Sequence, residues 1–298
     1  MTDPAALLAA AEQALFTGPP GHAVPMLQGV VDAAPGSTQA DRARWLLGVS
    51  QVAVGRYGAA LALLTPLVVA GAAPRADPHR RALGALAGAT TAGAHRQLGR
   101  HLAAREADTA ALALAGSSAE APFDALLGLA ADAVGLQEPA EAAHRLSDAE
   151  GVLAGAPPTW WRQRVRLQRV GAELALVQGR PEDAGLRASA AVRAAQEAGG
   201  QRHVSKALLV LGLAQVSAGS AAAVGTLRSA ADLAAALGTL PLVWPACALL
   251  GALLAQDDPA GAKACLATAR SAVEAVAADL PPGVRAAWLA RPEVAALR

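Results

Sequence analysis

The feature that most restricts this chain is a glycine turn that returns at near-constant spacing. Gly55, Gly99, Gly135, Gly179 and Gly219 each close a run of helix-forming residues, at intervals of roughly 40 residues. Seven positions before each lies a small residue: Gly48, Ala92, Gly128, Ala172 and Gly212. Alanine follows near the start of the next run, at Ala60, Ala104, Ala142 and Ala184. A period of this size marks stacked helix hairpins. A single hairpin cannot bury both of its apolar faces, so each needs neighbours on either side. The clearest copy runs from 172 to 199. Val165, Val170, Leu174 and Leu176/Val177 make an apolar stripe near helical period, and Gly179 stops that helix. Pro181 suits the first turn of the next one, where its missing N–H has no partner to lose, and Glu182 and Asp183 follow at the positive end of the dipole. Ala184, Ala188, Ala191 and Ala195 then form a small-residue face, ended by Gly199-Gly200. Gly18 to Gly21 marks an earlier turn and Asp257-Asp258-Pro259 a later one. Pro66 falls inside a second helix, where it removes a backbone bond, and Ala72 to Asp77 reads as a turn between hairpins. The expected fold is all-α: roughly seven antiparallel helix pairs and a capping helix from Pro282 onward, in one domain spanning 1–298.

Composition supports helices and excludes several functions. Hydrophobic residues make up 54% of the chain but aromatics only 3%, because alanine supplies most of them, and alanine is the strongest helix former. Lys and Arg number 25 against 24 Asp and Glu, for a formal net charge of +1. No basic excess therefore points to nucleic acid or to an anionic membrane. Cys247 and Cys265 are too few for a disulfide framework, and no His or Cys stands at metal-ligand spacing from either. They read as small buried residues of a reducing compartment, and the expected location is the cytoplasm. The N-terminus lacks the positive region of a signal peptide. Leu233 to Gln256 carries no charge, but Gly238, Pro241 and Pro245 are expected to break it into pieces too short to cross a bilayer.

Leu47-Gly48 with Gly55-Arg56-Tyr57, Ala60 and Leu64 resembles the tetratricopeptide repeat. The departures are Arg44 where that family often has Trp, Gln51 where it has Tyr, and Leu64 where it has Phe. Segments 172–199 and 202–238, with the closing LPPGVRAAWLARPEVAAL, are similar to the divergent repeat regions of large bacterial ATPase-type transcriptional regulators. The resemblance implies a right-handed superhelix, an α-solenoid, whose first helices line a concave groove. The ATPase is missing: Lys206 and Lys263 lack the glycine before and the Ser/Thr after that a phosphate-binding loop requires.

Catalytic patterns are absent. Asp257-Asp258 is followed by no further carboxylate at helical spacing and reads as a turn. His22, His79, His95, His101, His144 and His203 are scattered over different hairpins. His95 with Asp108 or Glu106 would make an acid/base set, yet no nucleophile motif such as Gly-x-Ser-x-Gly accompanies it. His101 occupies the position of Tyr57 and is assigned to packing, and Ser117-Ser118 to a helix stop. No catalytic residue, cofactor or metal is expected.

One charged stretch stands out, Trp160-Trp161-Arg162 through Arg169. Arg162, Arg166 and Arg169 share a helix face by their i, i+4, i+7 spacing. The repeat register places Arg42, Arg96 and Lys206 on the equivalent face of their own helices, with Trp45 beside them. The candidate binding set is Arg42, Trp45, Arg96, Arg166, Arg169 and Lys206, in a groove suited to an acidic peptide or a terminal carboxylate. The same pattern also fits a solvated face with Trp161 half-covered. In the groove reading the arginines are expected to be exposed, so exchanging Arg166 and Arg169 for Glu leaves stability nearly unchanged while sharply weakening capture of an acidic partner. The leading functional reading is a non-catalytic adaptor or regulatory scaffold holding a protein segment. A peptide-sensing allosteric regulator without its own DNA-binding part is the alternative. An α/α-barrel enzyme is more remote, since it needs carboxylates gathered at one rim.

Overall fold

The computed structural model describes residues 3–116, 118 and 120–298, so Ser117 of the Ser117-Ser118 pair lies outside the described residues. Among these residues there are sixteen α-helices and no strand. They are α1 (Pro4–Thr17), α2 (Val24–Ala33), α3 (Thr38–Val54), α4 (Tyr57–Ala72), α5 (Pro78–Gln97), α6 (His101–Leu114), α7 (Glu120–Gly135) and α8 (Pro139–Ala154). The second half comprises α9 (Trp161–Val177), α10 (Pro181–Glu197), α11 (Gln201–Ser217), α12 (Ala223–Ala236), α13 (Leu240–Leu254), α14 (Pro259–Ala278), α15 (Pro282–Leu289) and α16 (Pro292–Ala295). Seven pairs, α1/α2 through α13/α14, pack in succession, and the cap after Pro282 is split in two by Ala290-Arg291.

The turns form as the glycines dictate, with one exception. Gly55, Gly99, Gly179 and Gly219 all have positive φ, and the residue after each donates to the carbonyl five back, as Arg56 does to Gln51. Gly135 departs from the expectation. It is the last residue of α7, and the left-handed position passes to Gln137, with φ of 60°. A Cβ at Gly135 would lie 2.2 Å from the His101 ring, so this glycine is needed for close approach rather than for the turn. Ser118 Oγ accepts from the Ala121 amide at the start of α7. Asp258 caps α14 by accepting from the Gly261 amide at 2.9 Å, which gives the Asp257-Asp258 doublet its role as a turn.

Pro66 lies inside α4 as expected, but Pro245 does not interrupt α13, which runs through it for 15 residues. Packing of α13 between α12 and α14 outweighs the one backbone bond that Pro245 removes. Even so, none of the described helices is long and apolar enough to cross a membrane.

Alanine sets the helix spacing. Ala60, Ala184, Ala188, Ala191 and Ala195 are wholly buried, so helices pack almost backbone to backbone. Replacing Ala60 or Ala184 by Leu is expected to overpack these contacts and cost about 1–3 kcal/mol. Denaturant melts that match the parent for both variants would contradict the packing.

The odd-numbered helices α1 to α13 contact one another in sequence and form the inner face. The solenoid then comes round on itself, since α1 touches α11 and α3 touches α13. Tyr57, Ala94 and Leu98 share a core with Val273, Val276, Trp288 and Val294. Asp279 Oδ2 accepts from the amides of Gly58 (2.6 Å) and Ala59 (3.3 Å) and caps α4, whose own preceding residue, Arg56, supplies no side-chain cap. Repeat proteins ordinarily make only neighbour contacts. Here the two ends hold each other.

Candidate functional site

The inner face encloses a cavity of about 190 Å³ that opens to solvent. Every odd-numbered helix from α1 to α13 contributes to it. α1 supplies Phe16, α3 Trp45 and Val49, α5 Thr90, Gly93 and Arg96, and α7 Asp124 and Leu127. α9 gives Arg162, Arg166 and Arg169, α11 Arg202, His203 and Lys206, and α13 Pro241 and Leu242.

Arg162, Arg166 and Arg169 of α9 face the cavity, while Val165, Leu167 and Leu174 of the same helix are buried in the core. Each arginine is steered by a partner. Arg162 reaches Glu120 at 3.4 Å and lies over the Phe16 ring, 3.6 Å from its centroid. Arg166 pairs with Asp124 and Arg169 with Glu173, both at 2.5 Å. On α11, Arg202 and Lys206 have no ion-pair partner among the described residues. Burial, with Arg162, Arg166 and Arg169 nearby, lowers the Arg202 guanidinium to about 10. Arg169 first, and burial second, hold the Lys206 ammonium well below its ordinary value. Burial first, then Arg202, Arg162, Arg166 and Lys206, hold the His203 imidazole well below the usual histidine range. These shifts have one origin, which is positive charges crowded in a partly dry space.

The six residues singled out from sequence separate into three groups. Arg166, Arg169 and Lys206 converge on the cavity. Trp45 also lines it, but is 2% exposed and donates Nε1–H to Thr90 Oγ1 at 3.0 Å, so only an edge is offered. Arg42 lies outside, in an adjoining recess, where it pairs with Glu12 at 2.9 Å and stacks on Trp45. Arg96 reaches the cavity wall, yet its charge is spent internally. Its Nη1 bonds the Asp108 carboxylate, Asp132 Oδ1 at 3.1 Å and the Gly128 carbonyl at 3.3 Å. Asp108 and Asp132 are both fully buried. Asp108 thus pairs with Arg96, and not with His95. Burial pushes the Asp108 carboxyl up to about 8 against the pull of Arg96, and it raises Asp132 too. Burial opposes the Arg96 charge as well, but the two carboxylates outweigh it and keep the guanidinium protonated.

Neither a protein-family model nor a curated protein matches the sequence. Solved structures do. A Rap protein complexed with competence and sporulation factor superposes with a TM-score of 0.64 at 12% identity, covering 99% of this chain and 80% of that one. The apo form of RapI gives 0.49 at 9% identity, covering 91% and 77%. The chain is similar in fold to a Rap protein. That likeness rests on a helical repeat architecture running through nearly all of its length.

Arg202 and His203 escaped the sequence reading. The signal for Arg202 was present, because it precedes Lys206 by four positions as Arg162 precedes Arg166. His203 gave none. Its place beside Trp161, with ring centroids 5.3 Å apart, depends on Gly200, where a Cβ would lie 2.5 Å from the indole.

Proposed function

We propose that this protein is a non-catalytic peptide-binding regulator that holds an extended, acidic segment inside its central cavity. One observation carries the reading. The lining contains Arg96, Arg162, Arg166, Arg169, Arg202 and Lys206 but a single acid, Asp124. Arg96 is satisfied internally and Arg162, Arg166 and Arg169 each hold one carboxylate, which leaves Arg202 and Lys206 unpaired among the described residues, around a cavity that also offers Phe16, Leu127, Val170 and Leu242. The Rap protein of similar fold was solved with competence and sporulation factor, which supports a binding role for the present chain.

In this reading residues 1–298 act as one solenoid domain in the cytoplasm, where free Cys247 and Cys265 stay reduced. The likeness of 172–199 and 202–238 to the repeat regions of ATPase-type regulators supports a regulatory task. The joined ends favour an allosteric form of it. A ligand in the cavity lies against both halves of the closed solenoid, so its binding biases the closure.

The test is isothermal titration with extended hexapeptides carrying zero, two and four glutamates. Affinity is expected to rise with each pair of acids and to fall at least several-fold between 50 and 300 mM salt, as steering and screening require. Equal binding of neutral and acidic peptides, or none by either, would sink the proposal.

A further inference from the structure

The cations of the cavity are unequally answered. Arg162, Arg166 and Arg169 each have a carboxylate on α7 or α9, whereas Arg202 and Lys206 have none among the described residues. Between them in sequence lies His203, 8% exposed, lining the cavity, with its Nε2 unpartnered. Arg202 Nε is likewise buried without an acceptor. Native structures seldom bury polar groups this way unless something else satisfies them. α11 starts at Gln201 with no capping side chain, so its dipole adds positive potential at the same place. The groups facing this turn from α9 are Arg162, Arg166, Arg169 and Glu173, and only the last is acidic.

We infer that Arg202, His203 and Lys206 form an oxyanion site in the cavity wall that takes a carboxylate of the bound segment. Arg202 supplies a guanidinium fork, Lys206 an ammonium, and His203 an imidazole N–H placed against Trp161. The like charges that crowd one another here become favourable once an anion lies among them. Binding then takes up protons, because the anion stabilises the charged forms of Lys206 and His203. Affinity therefore falls as pH rises. The peptide reading above supplies the source of the carboxylate, but the site stands without it.

The probe is citrate, titrated at constant ionic strength into the full chain, with the imidazole of His203 followed by NMR. Citrate is expected to bind and to move His203 toward imidazolium shifts near pH 6.5. Arg202→Met and Lys206→Met should each weaken binding roughly tenfold or more, the weight of one charge-assisted hydrogen bond. Both remove a repulsive charge and are expected to fold. Arg164→Met is the control: Arg164 bonds the Ala156 and Pro157 carbonyls outside the cavity, and its loss should leave citrate affinity unchanged. Acidic peptides decide the source. Weaker binding after C-terminal amidation assigns the terminal carboxylate, and weaker binding after Glu→Gln assigns a side chain. No citrate binding, or acidic peptides indifferent to both Met variants, overturns the site while leaving the peptide reading intact. Citrate binding with no peptide binding does the reverse.

Discussion

Arg96→Met is expected to lower stability by about 3–5 kcal/mol, the cost of leaving buried charge without its partner. The arrangement explains the size. Asp108 and Asp132 come from α6 and α7, lie fully buried, and meet a single guanidinium from α5. Gly128 exists at this point to admit the Asp108 carboxylate, which would lie 2.1 Å from any Cβ placed there. In the parent protein burial already raises both carboxyls, Asp108 to about 8, and the Arg96 guanidinium offsets the negative charge they carry. Without Arg96 both must stay protonated or be exposed. The pH dependence follows from the sign of those shifts. A carboxyl raised in the folded state contributes its stability below its unfolded value, near 3.8, and loses it as pH climbs through the folded value. The deficit of the variant should therefore be small at pH 5 and large at pH 8. A melting-temperature loss on the order of 10 °C near neutrality is expected. A deficit that stays constant across this range would mean the carboxylates are hydrated and the triad is not a buried unit.

That triad shows where sequence reading runs out. Helix stops are local chemistry, so Gly55, Gly99, Gly179 and Gly219 located the turns directly, and with them the seven pairs. Gly135 misled because a glycine needed for close packing looks the same in sequence as one needed for positive φ. The face shared by Arg166, Arg169 and Lys206 was legible, since periodicity fixes a helix face once the register is known. What those side chains meet on other helices was not. Arg96 finds its acids 12 and 36 residues away, and Arg42 finds Glu12 30 residues back. No spacing rule connects such positions. The same gap affects the charge reversal of Arg166 and Arg169, which reads as neutral to folding for arginines exposed in a groove. With Asp124 and Glu173 at 2.5 Å from these arginines, reversal sets carboxylate against carboxylate and costs stability. Neutral Met variants are the better probes of the cavity.

Gly58→Ala is expected to cost about 3 kcal/mol, at the upper end of overpacking effects, and to loosen the closed solenoid. Helix propensity alone predicts the opposite, because alanine in a helix is favoured over glycine by up to about 1 kcal/mol. The decisive contact is with backbone. A Cβ at Gly58 would lie 2.3 Å from the Asp279 carbonyl oxygen and 3.2 Å from its carboxylate, and no rotamer change moves a main-chain oxygen. The end of α14 must therefore withdraw from α4. That removes the carboxylate cap on the Gly58 and Ala59 amides and pulls Val276 from its place beside Gly55. Asp279→Ala separates the two effects. It deletes the cap without forcing the backbones apart, and should cost only about 1 kcal/mol, as lost helix caps do. Because the cavity is walled by helices from both halves, Gly58→Ala should also weaken acidic-peptide binding, although residue 58 does not line the cavity. Small-angle scattering should report a larger radius of gyration for Gly58→Ala and none for Asp279→Ala. Unaltered scattering and stability in Gly58→Ala would mean that α4 and α14 do not meet in solution, and the closed solenoid would have to be given up.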